Sequence, residues 1–135
     1  MDELTLYFDR NFGKRLPNAL SKLRPPVDIR WHQGEGFAPN MPDDEWMESV
    51  GARGWVVLTH DIKFHLIEHE IEALKQHEIK CFYFPDAQVG MWQTLGLFMR
   101  THGRIISISK ETNAPFIYKV LRNGSIKPVF PSSSS

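Results

Sequence analysis

Trp55-Val56-Val57-Leu58-Thr59-His60-Asp61 decides the architecture. It is an apolar, β-branched run that stops at once on a histidine and an aspartate. It is too short for a buried helix and reads as a strand covered on both faces, the kind that builds parallel sheets. Two further runs share this character. Leu4-Thr5-Leu6-Tyr7-Phe8 stops at Asp9-Arg10-Asn11, and Cys81-Phe82-Tyr83-Phe84 closes at Pro85-Asp86. Val27-Asp28-Ile29-Arg30-Trp31 alternates instead, and predicts a strand that is half exposed or at an edge.

Between these runs the apolar spacing turns helical. Leu16, Leu20 and Leu23 form one stripe, with Pro17 in the first turn and Pro25-Pro26 as the stop. Trp46 and Val50 follow Pro42-Asp43-Asp44-Glu45, whose three acids suit the positive end of a helix dipole. Ile67, Ile71 and Leu74 stripe a third helix; Trp92, Leu95 and Met99 stripe a fourth, which is expected to end near Gly103. Ile105-Ile106-Ser107-Ile108 reads as a fifth strand. Residues 116–121 and 125–130 flank Arg122-Asn123-Gly124, a strong hairpin signal. Strands alternating with helices predict a three-layer α/β/α protein with a mostly parallel five-stranded sheet plus a C-terminal β-hairpin.

The chain has 135 residues, sixteen Lys+Arg and sixteen Asp+Glu. That length suits a single domain, expected over residues 1–131, with the serines at 132–135 as a disordered tail. Zero net charge excludes a strongly basic coat for long duplex DNA. One cysteine, Cys81, excludes a disulfide framework or a Cys-rich zinc site. No apolar run approaches membrane-spanning length and no leader is visible, so a cytoplasmic protein without a membrane partner is expected.

In open α/β sheets ligands bind outside the carboxyl ends of the strands. Asp9 directly follows the first strand and Asp61 follows the third. In the common strand order 2-1-3-4-5 these two strands are neighbours. Asp43 opens the helix leading into the third strand, which starts at that same edge. Clustered carboxylates without His or Cys suit a hard cation, Mg²⁺ or Mn²⁺. Such an ion binds phosphate oxygens and makes a nucleophile from water. Each acid alone also has a plainer reading: a turn residue for Asp9 and Asp61, a helix cap for Asp43. Asp44 competes with Asp43 for the role, and Asp86 is either a further acid or the cap of the next helix.

Leu6-Tyr7-Phe8-Asp9-Arg10-Asn11 resembles the opening of PIN-like domains, where an acid ends the first strand. Asp43-Asp44-Glu45-Trp46 and Gly54-Trp55-Val56-Val57-Leu58-Thr59-His60-Asp61 resemble the segment that closes their acidic site, with an acid at a helix start and a Thr-x-Asp after the next strand. Pro115-Phe116-Ile117-Tyr118 and the hairpin look like one compact bacterial branch related to VapC-type toxins. The resemblance extends to about Val129. It implies a metal-dependent ribonuclease, commonly a toxin held by a protein antitoxin, with Asp9, Asp43 and Asp61 as catalytic and metal-binding residues. A homodimer is a further expected assembly. A fourth acid of full-length PIN domains has no clear counterpart; Glu35 lies in the right interval, but in a Gly-rich loop. The alternative is a catalytically incomplete PIN-like module that binds RNA or protein.

Rival constellations are weaker. His65-Leu66-Ile67-Glu68-His69 has an inverted zincin spacing, but the helix wheel turns His65 and His69 away from the core. Cys81 beside His32 or His60 could suggest a thiol nucleophile, yet a cysteine inside an apolar strand is usually inert. His60 is expected to face away from Asp61. Asn11-Phe12-Gly13-Lys14 is too poor in glycine to cradle a nucleotide. Arg10, Lys14, Arg15 and Lys63 flank the acidic edge as candidate RNA-phosphate contacts. Residues 32–42 form a loop of about ten residues, a length typical of functional loops. Phe37 lies on it, and Trp31 beside it is expected to be buried.

Overall fold

The computed structural model describes residues 4–60, 68–85 and 89–131. Strand β1 (Thr5–Phe8) is flanked in parallel by β2 (Asp28–Trp31) and β3 (Val56–Thr59), with Tyr7 opposite Arg30 on one side and Val57 on the other. β4 (Lys80–Tyr83) pairs in parallel with β3, and β5 (Phe116–Val120) with β4. β6 (Ile126–Phe130) turns back antiparallel on β5. Among the described residues the sheet has six strands in the order β2-β1-β3-β4-β5-β6, so the alternating strand β2 does lie at an edge.

The apolar runs are continuous because both faces of the sheet are covered. Leu6, Phe8, Val56, Leu58 and Phe82 project to one side. There they meet Leu16 and Leu20 of α1 (Arg15–Ser21) and Leu97, Phe98 and Ile105 of α4 (Met91–Glu111). Tyr7, Val57, Cys81 and Ile117 project to the other side. There they meet Trp46, Met47 and Val50 of α2 (Asp43–Ala52) and Leu74 of α3 (Glu68–Gln76). This period-two alternation across three layers is the α/β/α arrangement that the sequence predicts.

Several expectations are corrected. Ile105, Ile106, Ser107 and Ile108 do not form a strand; α4 runs through them to Glu111. The buried residues Thr94, Leu97, Phe98, Thr101, Ile105 and Ser109 recur every three or four positions straight across Gly103. One glycine costs a helix interior only about 1 kcal/mol, too little to break a stripe that long. The fifth strand is therefore the first strand of the hairpin, which joins the main sheet. For the same reason Trp92, Leu95 and Met99 are not the core stripe of α4: Trp92 is 80% exposed and Met99 52%. Leu23 is also exposed, because α1 stops at Ser21 before the third member of its stripe.

Trp31 is half-buried rather than fully buried. The following loop passes so close over it that a Cβ on Gly34 would lie 2.6 Å from the indole. Among the described residues no helix is long and apolar enough to cross a membrane. Asp61, Lys63, His65, Ile67, Asp86 and the serine tail lie outside the described residues, as does the side chain of His69.

Candidate active site

Strand alternation carries Asp9 past the end of β1 on the Tyr7 side of the sheet, and Thr59 ends β3 on that same side. The two meet: the Thr59 hydroxyl donates to Asp9 Oδ2, and both residues are buried. Asp9 Oδ1 accepts the backbone N–H of Asn11 at 3.0 Å, which caps the short 3-10 turn of Arg10–Phe12. The Thr of Thr-x-Asp thus serves the first acid directly. Burial of a carboxylate demands such donors.

Asp43 arrives from the start of α2. Its Oδ1 accepts from Arg10 at 2.9 Å and from the Trp46 indole N–H at 2.8 Å. The other terminal nitrogen of Arg10 donates to the carbonyls of Met41 at 2.6 Å and Pro39 at 3.0 Å. Arg10 therefore clamps the loop and the α2 start against the residue next to Asp9. Its guanidinium goes to Asp43 and the loop, not outward as expected of a phosphate contact.

The neighbouring acids divide differently. Asp44 points outward and its Oδ1 accepts from His77 Nε2 at 2.9 Å. Glu35 lies between two cations, Arg30 and Arg53, each at 3.4 Å. Since Arg53 precedes β3, those contacts hold Glu35 towards the start of that strand, away from the end where Asp9 lies. Glu70, which sequence reasoning missed, is 7% exposed and lines a cleft with Asp43 and Asp44. Its only advance signal was its place in the first turn of α3. Among the described residues no group of three or more His, Cys, Asp or Glu side chains forms a metal cluster, and Asp61 is outside them. What the described part supplies, in Asp9 and Asp43, is hard carboxylate oxygen without thiolate or imidazole, a donor type that fits a hard divalent ion.

Two histidines organise the surroundings. His32 is fully buried. Its Nε2 lies 2.8 Å from the Ala38 carbonyl, which can only accept, so Nε2 carries the proton and Nδ1 accepts from the Tyr7 hydroxyl at 2.8 Å. This relay ties the long loop to the middle of β1. Burial, then the Asp9 charge, raises the Tyr7 hydroxyl pKa far above the usual range; Arg10 opposes this, while Glu35 and Asp43 add to it. His60 faces the opposite layer from Thr59, as expected. Its Nδ1–H donates to the Phe84 carbonyl at 2.7 Å and its ring stacks on Phe12 at 4.1 Å. Burial pushes the imidazole below the ordinary histidine range, against the pull of the Phe84 carbonyl. Cys81 is buried, in keeping with an inert thiol.

On the α1 and α4 side, a cleft of about 560 Å³ lies beside this edge, lined by Asn11, Lys14, Arg15, Gln33, His60 and Thr94 among others. No acid is among its described lining residues. Lys14 and Arg15 thus line one side of the strand ends, while Asp43, paired with Arg10, lies on the other.

An α/β protein with carboxylates at the carboxyl edge of a parallel sheet is the class that fold and site define. A family model described as a PIN like domain matches residues 4–86, more than half of the chain, from just before β1 to just past β4. The chain belongs to the PIN-like domain family. PIN domains are generally nucleases and typically use divalent metals. Neither the curated proteins nor the solved structures yield a match to this chain.

Proposed function

We propose that this chain is a metal-dependent endoribonuclease and the toxin of a toxin–antitoxin pair of the VapC type, working in the cytoplasm as one domain over residues 1–131. The carrying observation is the placement of Asp9 and Asp43. Asp43, far from Asp9 in sequence, is bonded to Arg10, the chain neighbour of Asp9, within a family of nucleases. Asp9, Asp43 and Asp61 would hold Mg²⁺ or Mn²⁺, with Glu70 as an added candidate. Such an ion supplies charge neutralisation at a phosphodiester and lowers the pKa of water. The chain's own groups do the positioning. Thr59 and the Asn11 N–H orient Asp9, and Arg10 and Trp46 orient Asp43. Lys14 and Lys63 remain the candidate phosphate contacts, Lys14 lining the cleft beside the edge.

The test is cleavage of a mixed single-stranded RNA pool with Mn²⁺, with EDTA, and by Asp9→Asn. Cleavage that needs Mn²⁺ and Asp9 supports the reading. Full activity in EDTA, or activity in the variant equal to wild type, overturns it. A toxin should also arrest growth when expressed alone, and rescue by a co-encoded acidic or basic partner identifies the antitoxin. One observation favours a second reading, a catalytically incomplete module that binds RNA or protein: Asp43 Oδ1 already faces both Arg10 and the Trp46 N–H. RNA binding without cleavage under any divalent ion would select it.

A further inference from the structure

The outward face of α4 carries a row that the core does not use. Trp92, Gly96 and Arg100 recur at four-residue spacing, which places them one above another on the helix. Trp92 is 80% exposed. Met91 at 43% and Met99 at 52% extend the apolar surface around it. An added Cβ on Gly96 would meet nothing within 4 Å. Packing therefore gives no reason for a glycine at an interior helix position, where it weakens the helix. Its effect is to leave the space between the indole and the guanidinium open.

That space is the middle of a groove of about 560 Å³. Phe84 lies at its base, and Arg100 and Arg122 stand at its far rim. Arg100 donates to the Arg122 backbone carbonyl at 3.0 Å, which binds the helix to the hairpin turn and fixes the Arg100 guanidinium at the rim. No described lining residue is acidic. His60 and Thr94 line both this groove and the basic cleft beside the strand ends, so the two adjoin.

We infer that this groove is a stacking subsite for an unpaired base of single-stranded RNA. The Trp92 indole stacks on the base, the missing side chain of Gly96 makes room for it, and Arg100 faces the adjoining phosphate. The strand then continues past His60 towards Lys14 and the acidic edge. A flat aromatic opposite a guanidinium group suits a nucleotide, which offers a π face and an anion at one spacing. A protein partner would call for a wider apolar surface with a polar rim around it. Only the choice of RNA and the direction of the strand rest on the ribonuclease reading.

The test is fluorescence anisotropy with a labelled single-stranded RNA of ~10 nucleotides, within the usual footprint of such sites, measured in EDTA so that metal-dependent cleavage is off. Trp92→Ala should weaken binding roughly tenfold or more, the scale of one lost stacking contact, and Trp92→Phe should retain most of it. The same RNA as a duplex should bind equally to all three proteins. Gly96→Leu should melt higher than wild type, because leucine is the better helix former, and yet bind as weakly as Trp92→Ala. This variant separates a filled groove from a damaged fold. Unchanged affinity in Trp92→Ala or Gly96→Leu, or no measurable single-strand affinity in wild type, overturns the proposal. So does a Trp92→Ala effect confined to self-association in sedimentation, which would make the patch a contact between copies. Cleavage of the same RNA in Mn²⁺ is scored separately. Asp9-dependent cleavage with a Trp92-independent affinity overturns the groove alone. Trp92-dependent binding without cleavage supports the groove and overturns the catalytic reading alone.

Discussion

The Arg10 guanidinium lies 2.9 Å from Asp43 Oδ1, so the residue next to Asp9 supplies the cation for the carboxylate that opens α2. The Asp43 side chain is 9% exposed and that of Arg10 26%. Arg10→Gln should therefore lower metal-free stability by about 1–2 kcal/mol, the cost of charge-assisted bonds discounted for the solvent reaching Arg10. The same variant should gain more from Mn²⁺ than wild type does, because a bound ion would then take over the lost charge. Thermal melts in EDTA and in Mn²⁺ measure both effects. An equal Mn²⁺ gain in the two proteins removes Asp43 from the ligand set.

Tyr7→Phe keeps the aromatic packing of Tyr7 against Trp46 and Trp55 but takes away the donor to His32. Leaving that buried ring nitrogen short of a donor should cost about 1–3 kcal/mol. Alkaline titration in EDTA gives a second readout. The folded state raises the Tyr7 pKa, so below about pH 10, where an ordinary tyrosine is neutral, the two states bind its proton equally. Above that pH only the unfolded chain releases the proton. Stability then falls by roughly 1.4 kcal/mol per pH unit, and Tyr7→Phe should lack that share of the slope.

The buried strands announced themselves because both faces are apolar, and with them the positions of Asp9 and Asp43 at the carboxyl edge. What was hidden depends on tertiary partners. Ile105, Ile106 and Ile108 have strand-forming side chains, yet the helical stripe on either side of Gly103 governs them. Trp92 and Met99 have helical spacing, but Leu97, Phe98 and Thr101 offer a second stripe on the same helix, and only the sheet selects between them. His32 reads as a loop residue because nothing local shows that Tyr7 waits beneath it. Arg10 reads as a free cation because its partners, Met41 and Asp43, are some thirty residues downstream.

Gly51 and Gly96 should respond oppositely to one substitution. A Cβ on Gly51 would lie 2.3 Å from the His77 carbonyl, and that backbone cannot swing aside as a side chain could. Gly51→Ala should force α2 away from the turn after α3 and cost about 1–3 kcal/mol despite the better helix propensity of alanine. Gly96→Ala meets nothing and should stabilise by up to about 1 kcal/mol. Denaturant midpoints compare them directly. A stabilised Gly51→Ala would show that the α2 contact with residue 77 is not close-packed.

Asp9 and Thr59 separate ligand from support. Asp9→Asn keeps an oxygen for the Asn11 N–H and can donate to the Thr59 hydroxyl, so the metal-free melt should move little, on the order of 1 kcal/mol. It should lose the Mn²⁺ effect, because a neutral amide oxygen replaces a charged ligand. For wild type at an ion concentration a hundred times its dissociation constant, that effect is about 2.7 kcal/mol. Thr59→Val behaves in reverse. Its shape is kept, but the buried Asp9 carboxylate loses a donor, so stability in EDTA should drop by about 1.5–3 kcal/mol. The charge remains, and so should most of the Mn²⁺ shift. Asp61→Asn should follow the Asp9 pattern if Asp61 is the third ligand, and should lose stability with or without metal if it is only a turn residue. Melts of all four proteins in EDTA and in excess Mn²⁺ sort them. An undiminished Mn²⁺ shift in Asp9→Asn would mean that the ion binds elsewhere and that Thr59 braces a structural carboxylate.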